Sequence, residues 1–413
     1  MELKLDKKII VVWICHFSNR EIQDKLQVRK RINEFAPWIS LGIKEVQKRS
    51  EIELHIISPH RWISGIREFE DKNVSYHFFN PGIPLYGRHW PRFFRWDLYS
   101  CFHSNRKRIK KIAELINPDI IHWHGAENGY FTSSFFDLMN RYPHLVTIQG
   151  FISLGIFNIS NLKKRVNYAD KKLLSIEKRI LAKAKNFGVR DQAMKNEILK
   201  YNPDATFFWH EYFINIPDNI NAFIVSKEKT YDIIFFTRVV KSKGIEDLII
   251  ATGVIKRSLP NIKLAILGSS DAKYVKFLKH LASENNCLEN IEFKGFIPRQ
   301  DDIYKILSKS RVFVLPSYVG DVPGGMIESM VRKIPVVTYS TGGIPEVNLK
   351  NHNVEQVEQG DINGLASKIL FLLKTPTYAK ELAERGYDYA TSRWGNGKAL
   401  DDIIIAYKSI LKQ

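Results

Sequence analysis

The chain has 413 residues, of which 44% are hydrophobic and 26% are charged. This composition is ordinary for a globular protein and excludes a disordered or fibrous chain. The formal net charge is +18, and most of it lies in residues 1–220, where 35 Lys and Arg face 23 Asp and Glu. Such an excess indicates nucleic acid, an anionic membrane surface, or an acidic or diphosphate substrate as a binding partner.

The cysteines and the N-terminal apolar run give information about the cellular compartment of the protein. Three cysteines lie far apart: Cys15, Cys101 and Cys287. Their number and spacing predict neither a disulfide framework nor a metal site, which favours a reducing compartment. The apolar run from Ile9 to Cys15 has about half the length needed to span a bilayer, so we interpret it as a buried strand.

A loop containing Ser18 and Asn19 follows this first predicted strand. Loops at the carboxyl ends of parallel strands bind ligands in doubly wound sheets. Ser18 is therefore a candidate ligand contact, although either residue could simply cap a helix that starts near Arg20.

Residues 81–100 interleave aromatic and basic side chains, including Arg92, Arg95 and Trp96. This pattern is typical of surfaces that bind nucleic acid or lie at a membrane interface. A helix that packs its aromatic residues inward and exposes its arginines would give the same pattern.

Two later strand ends in this half carry polar side chains. The segment 118–130 reads as a strand and a loop with His122, His124 and Glu127, and Gln149 ends the following strand. Because strand residues alternate between faces, the two histidines are expected on one face. A metal site would need a third ligand, and none is evident.

Residues 217–230 contain Pro and polar residues without periodicity, which predicts an interdomain linker. A strand follows, with Arg238 at its end and Lys243 five residues later at the start of a helix. The next two strands end near Gly268 and Phe296. Two cations after a strand, followed by a glycine at the start of a helix, are suited to binding phosphate.

The stretch from Arg311 to Val347 reads as strand, glycine loop, helix, strand and second glycine loop. It predicts a βαβ unit in which Gly324 and Gly325 stand where the helix should begin. The helix is expected to run roughly from Met326 to Arg332, with Glu328 near its first turn, and Glu346 is expected in the second loop. Glycines let backbone N–H groups approach an anion, whereas a carboxylate suits hydroxyl donors. The unit therefore predicts a site that binds a phosphate and a sugar together. The alternative is an ordinary βαβ unit in which the glycines only form turns.

The segments PSY, PGGMIESM, PVV and TGGIPE within this stretch resemble the donor-site signature of retaining family 4 glycosyltransferases, which have the GT-B fold. The resemblance implies that Glu328 holds the ribose of a nucleotide-sugar. An earlier glutamate, which contacts the transferred hexose in that family, is Gly320 here, so Asp321 is the candidate. The implied donor-binding set around Glu328 is Gly324, Gly325, Met326, Ile327, Gly268, Ser18, Phe296 and Glu346.

The same resemblance assigns roles at the reacting centre. Arg238 and Lys243 match the family's diphosphate clamp, and two fixed cations stabilise a leaving group that gains charge. Gln149 stands where relatives often have a histidine that contacts the donor sugar. Glutamine can hydrogen-bond there, but it cannot take a proton at neutral pH.

The expected fold is α/β, with two doubly wound Rossmann-like domains of the GT-B type facing across a cleft. The expected domains are an acceptor-side domain over residues 1–216, a linker over 217–230, and a donor domain over 231–391. A terminal helix over 392–413 is expected to return to the first domain.

The expected function is retaining, metal-independent transfer of a hexosyl unit from a UDP- or GDP-linked donor, with no cofactor. The acceptor would be a glycan or a polyprenyl-diphosphate-linked glycan used in surface polysaccharide or lipopolysaccharide biosynthesis. The acceptor or membrane side would be formed by His124, Glu127, Arg92, Arg95 and Trp96. We expect a cytoplasmic protein with peripheral contact to an anionic inner membrane face, and no nucleic acid. The alternatives are another GT-B enzyme, such as an epimerase or phosphorylase, and a basic nucleic-acid-binding protein.

Overall fold

The computed structural model describes residues 8–32, 34–83, 95–153, 167–214, 228–319, 322–395 and 397–413. The chain divides into two compact units. The first unit comprises Met1–Phe213 and Gly397–Gln413, and the second comprises Ile214–Asn396. Arg92, Asp321 and most of the predicted linker lie outside the described residues.

The described strands and helices alternate along most of the chain. The strands are β1 (Ile9–Ile14), β2 (Ile52–Pro59), β3 (Ile66–Asp71), β4 (Val74–Phe79), β5 (Ile120–His124), β6 (His144–Thr147), β7 (Asn186–Val189), β8 (Thr206–Trp209), β9 (Tyr231–Phe236), β10 (Leu264–Leu267), β11 (Ile291–Gly295), β12 (Ser310–Leu315), β13 (Val336–Tyr339) and β14 (Glu355–Val357). The helices are α1 (Arg20–Lys25), α2 (Pro37–Val46), α3 (Trp96–Tyr99), α4 (His103–Ile116), α5 (Gly129–Thr132), α6 (Phe135–Leu138), α7 (Tyr168–Lys183), α8 (Gln192–Leu199), α9 (Ile245–Lys256), α10 (Ala272–Glu284), α11 (Gln300–Ser308), α12 (Gly324–Met330), α13 (Ile362–Lys374), α14 (Pro376–Trp394) and α15 (Lys398–Ile410). Within the described ranges, no helix is both long and apolar enough to cross a bilayer.

The sheet of the first unit has the strand order β3-β4-β2-β1-β5-β6-β7-β8. Its strands run parallel except β3, which pairs antiparallel with β4. Strand β1 is central because its residues from Val11 onward are apolar and fully buried. The strand order reverses between β1 and β5, and such a reversal is where doubly wound sheets bind ligands at the carboxyl edge.

The terminal helix α15 packs on the first unit. The Trp13 indole N–H donates to the Tyr407 hydroxyl at 2.8 Å, and that hydroxyl also bonds Nδ1 of His122 at 2.6 Å. The His122 ring stacks on His124 with 4.0 Å between centroids, as the alternation of strand residues predicts. A buried polar chain therefore joins β1, β5 and the helix.

The sheet of the second unit is entirely parallel, with the order β11-β10-β9-β12-β13-β14. Its strand order reverses between β9 and β12. This is the arrangement of a dinucleotide-binding sheet, so its carboxyl edge beside β9 and β12 is the expected ligand position. The predicted α/β class with two parallel-sheet units is confirmed, apart from the antiparallel edge strand β3.

Two glycines allow close approaches between loops at this edge. Gly268 has φ +142°, and a Cβ there would lie 1.7 Å from the Thr237 carbonyl oxygen. Gly244 has φ +73°, and a Cβ there would lie 1.8 Å from the Pro316 carbonyl oxygen. Residues with a side chain rarely adopt these backbone angles, and neither position has room for a Cβ atom. Both positions therefore require glycine.

Candidate functional site

Two cations follow β9 in the second unit. Arg238 is exposed, and its guanidinium makes no hydrogen bond or ion pair with any described residue. Lys243 ends the 3-10 turn Lys241–Lys243, and its Nζ donates to Ser317 Oγ at 3.4 Å and Val319 O at 3.5 Å. The structure thus places one uncommitted cation and one anchored cation at the point where the strand order reverses.

Hydrogen bonds join the loops that leave β9, β12 and β13. The Tyr318 amide donates to Ser242 O at 2.9 Å, and the Thr341 hydroxyl donates to Ser317 O at 2.9 Å. The loop that carries Lys243 is therefore built together with the two neighbouring loops, although they are distant in sequence.

Asp247, in the first turn of α9, strengthens this link. Its Oδ2 accepts hydrogen bonds from the Tyr318 hydroxyl at 2.6 Å and the Tyr339 hydroxyl at 2.7 Å. Burial and these bonds to the carboxylate raise the pKa of both tyrosines. Asp247 does not stand out in the sequence, because an acidic residue in a first turn is typical of any helix.

The start of α12 carries the glycine pair. The helix begins at Gly324 rather than at Met326, so both glycines belong to its first turn. A Cβ on Gly324 would meet no atom within 4 Å, whereas one on Gly325 would lie 2.6 Å from Phe236 O. Gly325 therefore lets the helix contact the end of β9, next to Arg238. The amides of both glycines make no hydrogen bond to described residues.

Buried apolar residues fix this helix, and Glu328 extends from it. Met326 and Ile327 are fully buried in the core of the second unit. The half-buried Glu328 accepts a hydrogen bond from Gln300 Nε2 at 3.3 Å. Burial raises the pKa of Glu328 to about 7, while Arg332 and the Gln300 bond act in the opposite direction.

The remaining predicted donor residues lie at the same edge of the sheet. Gly268 directly follows β10, and Phe296 directly follows β11 with 49% of its surface exposed. Glu346 lies in a 3-10 turn, Ile344–Asn348, that follows β13. Asp321 lies outside the described residues, so its proposed role remains a prediction.

Ser18 and Asn19, which follow β1, have different roles. The capping role belongs to Asn19, whose Oδ1 accepts from the Ile22 amide at 2.8 Å. Ser18 pairs through its backbone with Phe35, and its buried hydroxyl has no hydrogen-bond partner among the described residues. The Ser18 hydroxyl is therefore free to bind a ligand.

Further buried polar atoms at this edge of the first unit have no partner within the described part of the chain. They are Nε2 of His124, Oε1 of Gln149 and both ring nitrogens of His60. These residues and Ser18 end or follow β2, β1, β5 and β6, which are neighbours in the sheet. An unsatisfied buried polar group costs about 1–3 kcal/mol of free energy. A polar ligand bound here would supply the missing hydrogen bonds and remove part of that cost. The sequence analysis missed His60, whose signal was its position directly after a strand.

Glu127 lies in the loop after β5. Its carboxylate accepts from the Ala126 amide at 2.9 Å and from Asn128 Nδ2 at 3.1 Å. Burial raises its pKa to about 7, against the lowering effects of backbone N–H groups and Arg190. Glu127 can therefore carry or release a proton near neutral pH.

The predicted aromatic and basic surface is described only in part. Arg95 binds Asp97 through two hydrogen bonds, of 2.9 and 2.8 Å, so its charge is largely neutralised. Trp96 is 54% exposed, and the neighbouring exposed Tyr99 stacks on Tyr168 with 5.1 Å between ring centroids. The aromatic side chains of this surface are thus more exposed than Arg95.

Comparisons with known proteins identify relatives of part of the chain. Residues 218–389 match the family described as glycosyl transferases group 1. A GDP-mannose-dependent α-(1-6)-phosphatidylinositol monomannoside mannosyltransferase of Mycolicibacterium smegmatis is 27% identical over 169 residues, which are 39% of this chain and 44% of that protein. The capsular polysaccharide biosynthesis glycosyltransferase CapM of Staphylococcus aureus is 23% identical over 178 residues, or 43% and 45% of the two chains. The chain thus spans less than half the length of these curated relatives.

Solved structures match over nearly the whole chain. Sucrose-phosphate synthase from Thermosynechococcus elongatus has a TM-score of 0.75 at 17% identity and covers 98% of this chain and 100% of its own. WaaG, a glycosyltransferase involved in lipopolysaccharide biosynthesis, has a TM-score of 0.65 at 12% identity, with 97% and 99% covered. At these identities the likeness shows the fold, which is the GT-B fold expected above. No described group of three or more His, Cys, Asp or Glu residues is placed to hold a metal ion.

Proposed function

We propose that the protein is a retaining hexosyltransferase, because residues 218–389 match the family described as glycosyl transferases group 1. It takes a UDP- or GDP-linked sugar as donor and needs neither a metal ion nor a cofactor. The observation that carries this proposal is the exposed, uncommitted Arg238, which closely follows the central strand of the second sheet, near the glycine start of α12.

The two cations would act on the leaving diphosphate. As the glycosidic bond breaks, the β-phosphate gains negative charge, so cations placed there stabilise the transition state more than the ground state. Arg238 would supply directed hydrogen bonds and Lys243 a compact charge. The hydrogen bonds of Lys243 to Ser317 and Val319 support a fixed position for that charge before the donor arrives.

The sugar and ribose hydroxyls would be held by carboxylates. Glu328 follows the glycine turn on the same helix, and its Oε atoms have one described hydrogen-bond donor, Gln300. Ribose hydroxyls can therefore bind the remaining acceptor positions. We assign the hexose contact to Asp321, which stands one position after the family's first glutamate. Phe296 and Glu346 complete the proposed donor set.

The acceptor would bind the first unit. The unsatisfied Nε2 of His124 supports a site for hydroxyl groups, and Glu127 could exchange a proton with the acceptor. Transfer would proceed on the front face, where the leaving diphosphate helps to deprotonate the acceptor hydroxyl. No protein nucleophile is required.

The acceptor class is a glycan or a lipid-linked glycan used to build surface polysaccharide. The names of the mannosyltransferase and capsular relatives support this class. The net charge of +18 and the exposed Trp96 support peripheral contact with an anionic membrane. Binding to phosphatidylglycerol vesicles that weakens with salt and with Trp96→Ala tests this contact, and unchanged binding refutes it.

Thermal-shift measurements with nucleoside diphosphates and their sugars identify the donor, because a ligand that binds the native state raises Tm. With that donor, Arg238→Ala and Lys243→Ala should each lower kcat about 10²–10³-fold. Lys241→Ala is the matched control, since Lys241 lies in the same turn but pairs with Glu246 at 3.3 Å. Unchanged turnover in the double variant of Arg238 and Lys243 would overturn the proposal.

The excess of positive charge also favours a second candidate, a nucleic-acid-binding protein. Salt-dependent binding of an oligonucleotide that nucleoside diphosphates cannot displace would support that candidate. A donor that is converted without a glycosylated product would instead indicate an epimerase or a phosphorylase on the same fold.

A further inference from the structure

A buried arginine lies one helical turn beyond Glu328. The Arg332 side chain has no exposed surface, and its guanidinium carbon lies 3.3 Å from the centroid of the Tyr304 ring. Its Nη1 donates to the Glu328 carbonyl oxygen at 2.7 Å. Its Nε and Nη2 have no hydrogen-bond partner among the described residues, and none of the ion pairs described includes Arg332.

A buried cation without a contact ion pair is costly and needs a compensating charge nearby. Arg332 lies in the turn that follows α12, and the bond from its Nη1 to the Glu328 carbonyl oxygen holds the guanidinium near the residue that carries the carboxylate. Burial and the positive charge of Arg332 act in opposite directions on the pKa of Glu328. The guanidinium therefore influences the carboxylate through space, without occupying its oxygen atoms.

Two further side chains connect the pair. Gln300 Nε2 donates to the Tyr304 hydroxyl at 2.7 Å and to Glu328 Oε2 at 3.3 Å. Tyr304 is 2% exposed and supports the guanidinium with its ring. Gln300, Tyr304, Glu328 and Arg332 thus form one connected group, which we name the Arg332 network.

We propose that Arg332 is a positioning residue that favours the ionised form of the Glu328 carboxylate against the effect of burial, while leaving its oxygens open to the hydroxyls of a bound sugar or ribose. The ligand in this statement rests on the proposed function, but the electrostatic part does not. A direct salt bridge would also keep the carboxylate ionised, but it would occupy the atoms that bind the ligand. A charge held by a backbone carbonyl and an aromatic ring avoids that competition.

Among the described residues, few charged or titratable groups act on Glu328. Arg332 is the cation acting on it, and Tyr304 from α11 is the other titratable neighbour, neutral at physiological pH because burial raises its pKa. Gln300 contributes a hydrogen bond but no charge. Burial is already the largest influence on the pKa of this carboxyl group, and removing the charge of Arg332 should leave burial without an opposing charge.

The test measures the titration of the Glu328 carboxyl group by ¹³C NMR, with its resonance assigned by its loss in Glu328→Gln. Arg332→Met should raise the titration midpoint by about one pH unit or more, the usual effect of a nearby opposite charge. Arg332→Lys should restore most of the wild-type midpoint. Lys333→Met is the matched control, because Lys333 is the adjacent cation and pairs with Glu384 at 2.5 Å.

A second variant keeps the test decisive if Arg332→Met does not fold. Arg332→Gln removes the charge but retains an amide that can donate to the Glu328 carbonyl, so it should shift the titration midpoint in the same direction. A midpoint that stays at the wild-type value in a folded, uncharged variant overturns the inference. A midpoint that also shifts in Lys333→Met overturns it, because the effect would then not be specific to Arg332.

Calorimetry with UDP, GDP and their sugars separates this inference from the proposed function. For the nucleotide that binds, Arg332→Met should weaken affinity about tenfold at pH 7 and less at pH 9, where the carboxyl group ionises regardless. When Glu328 is already replaced by Gln, the additional change Arg332→Met should not alter how nucleotide affinity depends on pH. If the NMR midpoint shifts but no nucleotide binds the wild type, the electrostatic role stands and the proposed function fails.

Discussion

Gly324→Ala separates ligand binding from stability at the start of α12. A methyl group at this position meets no atom within 4 Å, so the protein itself has space for it. Replacing glycine with alanine where the backbone conformation permits usually stabilises a protein by about 0.4–1 kcal/mol. We therefore expect Tm to stay constant or to rise slightly.

Donor binding should respond in the opposite direction. If the diphosphate lies against the free amides of Gly324 and Gly325, the methyl group prevents its close approach. The loss of one charge-assisted hydrogen bond costs about 1.5–3 kcal/mol, which corresponds to a Kd increase of about 10–150-fold. Calorimetry with the donor nucleotide measures this change, and differential scanning measures Tm on the same sample.

Gly325→Ala provides the comparison. Its Cβ would lie 2.6 Å from the Phe236 carbonyl oxygen, so this variant should lose about 1–3 kcal/mol of stability as well as affinity. A stable Gly324→Ala protein that binds the nucleotide as tightly as the wild type would refute the placement of the diphosphate at these amides.

Three other predictions concern the architecture that supports the site. Gly244→Ala should lower the stability of the second unit by more than about 2 kcal/mol and disturb Lys243, since its Cβ would lie 1.8 Å from Pro316 O at a φ of +73°; urea unfolding with normal stability would contradict this. Tyr407→Phe should cost about 2–4 kcal/mol, because Trp13 Nε1 and His122 lose their shared partner, whereas the exposed Tyr99→Phe should change the free energy of unfolding by less than about 0.5 kcal/mol. Acid should destabilise the first unit, because burial lowers the pKa of His16 and His124 to about 3 and of His60 and His210 to about 4. Their stability contribution is full above the unfolded pKa of about 6.5 and is lost as the pH falls toward the folded values, by about 1.4 kcal/mol per pH unit for each net proton. Glu127 and Glu177 oppose this trend, since their raised pKa of about 7 makes their contribution full below about pH 4.5 and lost as the pH rises through 7. The buried histidines outnumber these carboxylates, so urea midpoints that are flat between pH 6.5 and 4.5 would count against this reasoning.

Local patterns in the sequence were sufficient for several parts of the candidate site. Glycine pairs, prolines at the ends of elements and short apolar runs indicate the local backbone conformation, because each depends mainly on neighbouring residues in the sequence. For this reason the βαβ unit around Glu328 and the cations after β9 could be predicted, with an error of two residues at the start of α12.

The tertiary structure decided which polar groups are committed and which are free. The bond between Trp13 and Tyr407 joins residues 394 positions apart, and the one between Tyr318 and Asp247 spans 71 positions. Arg95 is neutralised by Asp97, whereas the guanidinium of Arg238 binds no described residue. The residue type alone does not distinguish the two arginines.

The sequence by itself determined the alternation of strands and helices, the glycine-lined helix start and the residue types available to bind phosphate and hydroxyl groups. The tertiary structure alone determined that His60 and Gln149 carry unsatisfied buried atoms and that Arg332 is buried next to Glu328. Burial and long-range hydrogen bonding depend on the packing of distant segments, and no local pattern of residues encodes them.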